Sequence, residues 1–146
     1  MIDREQIADA ARGWVGTPFQ HQQRERGVAV DCAGLVIGVA RELGLVEPSF
    51  DVNGYSRLPD GQTLLEHCRR WMREVARDAM SVGDVLVVRF DREPQHFGFL
   101  VDYRHGGLAI VHAATKYGRV VETRLLFGTS PRSMKFVAAF ALPGVD

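Results

Sequence analysis

Asp31-Cys32-Ala33-Gly34-Leu35-Val36 sets a cysteine at the start of an amphipathic helix. Leu35, Val36, Val39, Ala40 and Leu43 recur at helical spacing, so the helix runs over about 32–43. Asp31 suits its N-cap and Gly44 its C-terminal stop. A thiol in the first turn feels the partial positive charge of the helix N-terminus, which favours the thiolate, the nucleophilic form. A lone cysteine is ordinarily a small buried apolar residue. Cys32, however, precedes the apolar stripe and follows an acid at a polar capping position. Cys68 is the contrast, since it lies inside a mid-helix stripe and reads as core.

Working outward, residues 3–14 carry Ile7, Ala8, Ala11 and Trp14 at helical spacing, and Gly16-Thr17-Pro18 ends that helix. Residues 20–30 read as a polar loop leading into the cysteine, and 47–61 as a second loop with Asn53-Gly54 and Pro59-Asp60-Gly61. Thr63-Leu64-Leu65-Glu66 has the pattern of a capping box opening a helix to about Met72. From Gly83 the texture changes. Val85–Phe90, His96–Tyr103, Leu108–Ala113, Val120–Arg124 and Phe136–Leu142 are short, β-branched and aromatic-rich strands, with His105-Gly106-Gly107 as a hairpin turn. Helices first and strands second predict an α+β domain spanning 1–146, its N-terminal helices packed on a five- to six-stranded antiparallel sheet.

Two histidines fall on these strands. Alternation places His96, Gly98 and Leu100 on one face and Phe97, Phe99 and Val101 on the other. Gly98 leaves room beside His96 for another group. An imidazole there can take a thiol proton and return it to a leaving amine. Without the cysteine, the surface strand histidine would be the favoured reading. His112 is flanked by apolar residues and needs a hydrogen-bond partner, either His96, whose ring it would orient, or backbone. His21 sits in the loop before Cys32, where it can line a cleft. His67 reads as solvated and His105 as a turn residue. Zinc on Cys32, His96 and His112 is formally possible but lacks the close ligand pair of a structural site.

Of 146 residues, 46% are hydrophobic and 25% charged, and the formal net charge is zero. A basic nucleic-acid surface is therefore not expected. Among the basic residues only Lys116 and Lys135 are lysine. Met1-Ile2-Asp3-Arg4-Glu5 does not open like a secretory signal, and no run reaches the length of a membrane span. The expectation is synthesis in a cytosol, with both cysteines reduced.

In order and approximate spacing, Gly16-Thr17-Pro18-Phe19, Asp31-Cys32-Ala33-Gly34-Leu35-Val36, Gly83-Asp84-Val85-Leu86, His96-Phe97-Gly98 and Ile110-Val111-His112-Ala113 resemble the NlpC-type cell-wall peptidases, compact papain-like enzymes. The Gly-Thr-Pro-Phe-Gln-His-Gln stretch and short length look most like the branch found in the tails of phages and gene transfer agents. The resemblance implies a cysteine endopeptidase or amidase cutting peptidoglycan stem peptides, without metal or organic cofactor. It implies Cys32 as nucleophile, with its own N–H in the oxyanion hole, His96 as general base and acid, and His112 as the orienting third residue. It places Asp31 where some members bind the substrate's free amine, and Phe19 where many members have a tyrosine. Phe19 cannot donate that hydroxyl hydrogen bond, a loss on the order of 2.7–4 kcal/mol where nothing substitutes. His21, two residues on, is a candidate substitute in substrate binding. Implied partners are stem peptides and tail-tip or hub proteins, with no nucleic acid and no membrane insertion. The implied route runs from host cytoplasm to a tail tip acting in the target cell's periplasm. A catalytically silent tail component, or an amidase or acyl transferase for a non-wall substrate, uses the same residues.

Overall fold

The computed structural model describes residues 2–52, 63–89, 96–128 and 133–145, except the side chains of His96 and Ala114. The turn signals at Asn53-Gly54 and Pro59-Asp60-Gly61 lie outside the described residues. Helix α1 (Arg4–Arg12) starts with a reciprocal cap. The Asp3 carboxylate accepts the Gln6 N–H, and the Gln6 side chain accepts the Asp3 N–H, each at 2.8 Å. Residues 20–30 are not a plain loop. They contain the antiparallel pair β1 (Arg24–Glu25) and β2 (Ala29–Val30), which delivers the chain into α2 (Cys32–Glu42). Strands of two residues are too short to leave an alternation signal in the sequence.

Helix α3 (Thr63–Trp71) follows, then β3 (Arg73–Val75), β4 (Val85–Arg89), β5 (His96–Asp102), β6 (Leu108–Ala114), β7 (Arg119–Arg124) and β8 (Lys135–Ala141). The last six form one sheet in the order β3-β8-β4-β5-β6-β7, with every pairing antiparallel. The architecture is α+β, as expected. Between β5 and β6 the turn is closed by Tyr103 N–H on Gly107 O and Gly106 N–H on Tyr103 O, and both Gly106 and Gly107 have positive φ.

Both faces of the sheet are covered, which explains why the strand runs are almost continuously apolar. Val85, Val87, Phe97, Phe99, Val111 and Phe140 pack with residues of all three helices in the main core. Leu86, Val88, Leu100, Ile110, Met134 and Ala139 form a smaller core on the opposite face, with Phe127 and Phe136 packed against it.

Residues 16–20 tie the sheet to the approach of α2. Gly16 N–H donates to Val120 O, Phe19 N–H to Gly118 O and Gln20 N–H to Val30 O, while Val30 N–H returns to Pro18 O. The Gly-Thr-Pro-Phe segment thus stitches the edge strand β7 to β2, one residue before Asp31. Helix α2 packs closely through Gly38 against Trp14, two residues past the end of α1. A β-carbon on Gly38 would come within 2.3 Å of the Trp14 ring. Gly38→Ala is accordingly expected to destabilise the fold by about 1–3 kcal/mol through overpacking. Urea unfolding should show a lower midpoint at unchanged slope.

Candidate active site

Asp31 organises the start of α2. Its side chain is only 3% exposed. Oδ1 accepts the Gly34 N–H at 2.7 Å, the capping bond expected from sequence, and also the Arg24 Nη1–H at 2.9 Å. Oδ2 accepts the Gln22 N–H at 2.7 Å, and His21 Nδ1 stands 3.8 Å from the same oxygen. Gly34 is required for this packing, since a β-carbon there would meet the Gln23 carbonyl at 2.2 Å. The Arg24 guanidinium, 9% exposed, also donates to Asp51 Oδ1 at 2.9 Å and Val52 O at 3.1 Å. Burial works to raise the Asp51 carboxyl, but hydrogen bonds from Arg24 and from the Val52 N–H, with the charges of Arg24 and Arg41, outweigh it and lower it overall. Arg24 carried no signal in the sequence, because an arginine in a polar loop reads as a solvated charge.

Cys32 is the first residue of α2 and is buried, as is Cys68, and both are free thiols. Leu35 N–H bonds Asp31 O and Gly34 N–H bonds the cap carboxylate. The N–H groups of Cys32 and Ala33, together with that of Phe97, favour the Cys32 thiolate. The start of α2 therefore abuts the first residues of β5, with the sulfur beside the residue that follows His96. These groups and the helix dipole do not prevail. Burial, with the Asp31 charge adding to it, pushes the thiol up to about 12, opposite to the direction expected from helix position alone. Burial likewise pushes Cys68 up to about 12, with a contribution from nearby Cys32 and an opposing one from Arg69.

His96 occupies the first position of β5, paired with Val88, and its side chain lies outside the described residues. His112 pairs with Gly98 and is fully buried on the face of the smaller core. Its Nε2 lies 3.0 Å from Thr123 Oγ1, and the Tyr117 ring meets it edge-on at 5.7 Å. Phe19 is half-buried against the main core. His67, expected in solvent, is half-buried and helps line an open apolar pocket of about 70 Å³ between α2 and α3, with Ala33, Cys68, Trp71 and Phe97. Among the described residues, no group of three His, Cys, Asp or Glu side chains is placed to hold a metal ion. No described helix is long and apolar enough to cross a membrane.

No known family profile matches the chain, and no curated protein does. Solved structures do. The NlpC/p60 domain of the peptidoglycan hydrolase SagA superposes with a TM-score of 0.56 at 16% identity, over 97% of this chain and 100% of that one. An N-acetylmuramoyl-L-alanine amidase from Bacteroides uniformis gives 0.58 at 10% identity, over 96% and 98%. NlpC2 from Trichomonas vaginalis gives 0.66 at 14% identity over 97% of this chain, which spans about half (47%) of that protein. The chain has the NlpC/p60 fold. Within this NlpC/p60 frame the described residues bring Cys32, Asp31, Arg24 and the Phe97 backbone into one cluster. They place His112 with Thr123 on the other face of the sheet.

Two measurements follow from this geometry. Arg24→Met strands the buried Asp31 carboxylate without its cation. A loss of roughly 3–5 kcal/mol in unfolding free energy is expected by denaturant titration. A folded thiol near 12, against an ordinary 9.0, keeps its proton where the unfolded chain has released it. The stability it contributes is therefore whole below about pH 9 and is lost as pH climbs toward 12. Unfolding free energy of wild type should fall over that range, and Cys32→Ala should fall less steeply, by up to about 1.4 kcal/mol per pH unit.

Proposed function

We propose that this protein is a cysteine peptidase or amidase that hydrolyses amide bonds in peptidoglycan stem peptides. The observation that carries the reading is the sulfur of Cys32 at the first turn of α2, next to the opening residues of β5. The NlpC/p60 fold supports it, as do neighbours that include a peptidoglycan hydrolase and a muramoyl-alanine amidase. In this mechanism His96 takes the Cys32 proton as sulfur attacks the scissile carbonyl. The Cys32 and Ala33 N–H groups stabilise the oxyanion. Collapse of the tetrahedral intermediate breaks the C–N bond, and His96 hands its proton to the departing amine. Water, deprotonated by His96, then attacks the thioester and releases the acid and the thiol. His112 orients His96. Asp31 holds the helix start. To receive a substrate amine it would have to exchange one of its present partners, with Phe19 and His21 forming the adjacent wall. The sequence around Gly16-Thr17-Pro18-Phe19 supports a place at a phage or phage-like tail tip, where local wall cleavage would open the periplasm.

A second reading has its own observation. Phe19 lacks the tyrosine hydroxyl, and Cys32 is buried with its thiol held protonated. Both suit a tail component that kept the fold and lost turnover. Incubation with peptidoglycan fragments separates the two readings. The peptidase reading expects wild type to release stem-peptide products and Cys32→Ala to release none. Equal release by both would overturn it. Absence of release, with Cys32 no more reactive than Cys68 toward a thiol electrophile across pH, would establish the silent component.

A further inference from the structure

We infer that Thr123 is a positioning residue: its hydroxyl accepts the Nε2–H of His112, the arrangement in which Nδ1 is left as an acceptor. His112 is fully buried, so its ring must satisfy its polar atoms within the protein. The 3.0 Å contact between Nε2 and Thr123 Oγ1 commits one nitrogen. The geometry is built by the sheet. In β6 and β7, His112 pairs with Val121 and Ile110 with Thr123, so the two side chains are diagonal neighbours on one face. Threonine is β-branched, so its χ1 is restricted. On the other flank Gly98 of β5 stands opposite His112, and a β-carbon there would meet His112 Cβ at 2.7 Å. Tyr117 closes a further side of the ring, 81° from its plane.

A hydroxyl can donate or accept, so the direction must come from what the ring has to do. This step rests on the peptidase reading above. The third member of such a set accepts an N–H from the general base, which leaves the base's other nitrogen open to the thiol. For His112 to accept at Nδ1, its own proton must sit on Nε2, and Thr123 is what receives it. If Thr123 donated instead, His112 would carry its proton on Nδ1. The base would then have to accept there and would keep its own proton on the nitrogen facing Cys32. In that state it cannot take the thiol proton.

The full chain labelled with ¹⁵N tests this without any substrate. Long-range ¹H–¹⁵N spectra, assigned by loss of signal in His112→Asn, should show a protonated Nε2 and an unprotonated Nδ1 on His112. The reverse pattern overturns the inference, whether or not the protein cleaves peptidoglycan. Kinetics supply the second arm. Thr123→Val keeps the shape and removes the hydroxyl, and is expected to lower kcat about ten-fold at unchanged KM, with Thr123→Ser recovering most of it. Wild-type turnover with Thr123→Val at full kcat overturns the inference and leaves the peptidase reading standing. A wild type that cleaves nothing counts against the peptidase reading, and the spectrum still decides the tautomer. Should Thr123→Val fail to fold, the wild-type spectrum and Thr123→Ser decide.

Discussion

The Asp31 carboxylate is the constraint on which the rest of the site depends. One nearly buried group caps α2 through Gly34, holds the loop before β1 through Gln22, and pairs with Arg24. Each contact needs the others. A buried carboxylate is costly unless its lone pairs are filled, and here the N–H groups of Gly34, Gln22 and Arg24 converge on it. Arg24 carries the tie further, to Asp51 and the Val52 carbonyl, so the wall beside the apolar cavity hangs on the same charge pair. Gly34 is the steric condition of this arrangement, because any side chain there would collide with the Gln23 carbonyl.

Cys32 inherits both the benefit and the cost. The cap fixes the helix start, and with it the sulfur's place against the Phe97 N–H. The same carboxylate is a negative charge beside the thiol, and it adds to the burial that keeps the proton on sulfur. Arg24 offsets part of that charge. The hairpin carrying Arg24 is thus tied to the electrostatics around the Cys32 thiol as well as to the fold.

Much of this was legible in the sequence, for identifiable reasons. Helix α2, its cap and its first-turn cysteine follow from an acid, a small-residue turn and a long apolar stripe. The five long strands follow from β-branched and aromatic runs, although both faces are buried and alternation is weak. The edge strand β3 was not legible, because Arg73 and Glu74 are exposed and carry no strand pattern. The hairpin β1–β2 was hidden by its length. Arg24 was hidden because only tertiary packing separates a buried guanidinium from a solvated one. The direction of the Cys32 shift also escaped, since helix position is local whereas desolvation depends on α3 and β5 closing over the sulfur. Thr123 lies eleven residues beyond His112 and meets it only through the β6–β7 register.

The raised thiol constrains how the proposed chemistry can run. A free, preformed thiolate is not what this pocket stabilises. In the proposed reaction, proton loss from sulfur would be coupled to bond formation, with the base receiving the proton as the carbonyl carbon is attacked. The N–H groups of Cys32 and Ala33 that now favour negative charge on sulfur are the same groups that would receive it on the carbonyl oxygen. Charge leaving sulfur would pass to donors already in place, which is the condition for a transition state bound more tightly than the ground state. On this account Phe19 removes one auxiliary donor but leaves the backbone pair at the head of α2. In the proposed mechanism, orientation of the base by His112 would then be the demanding requirement of the site.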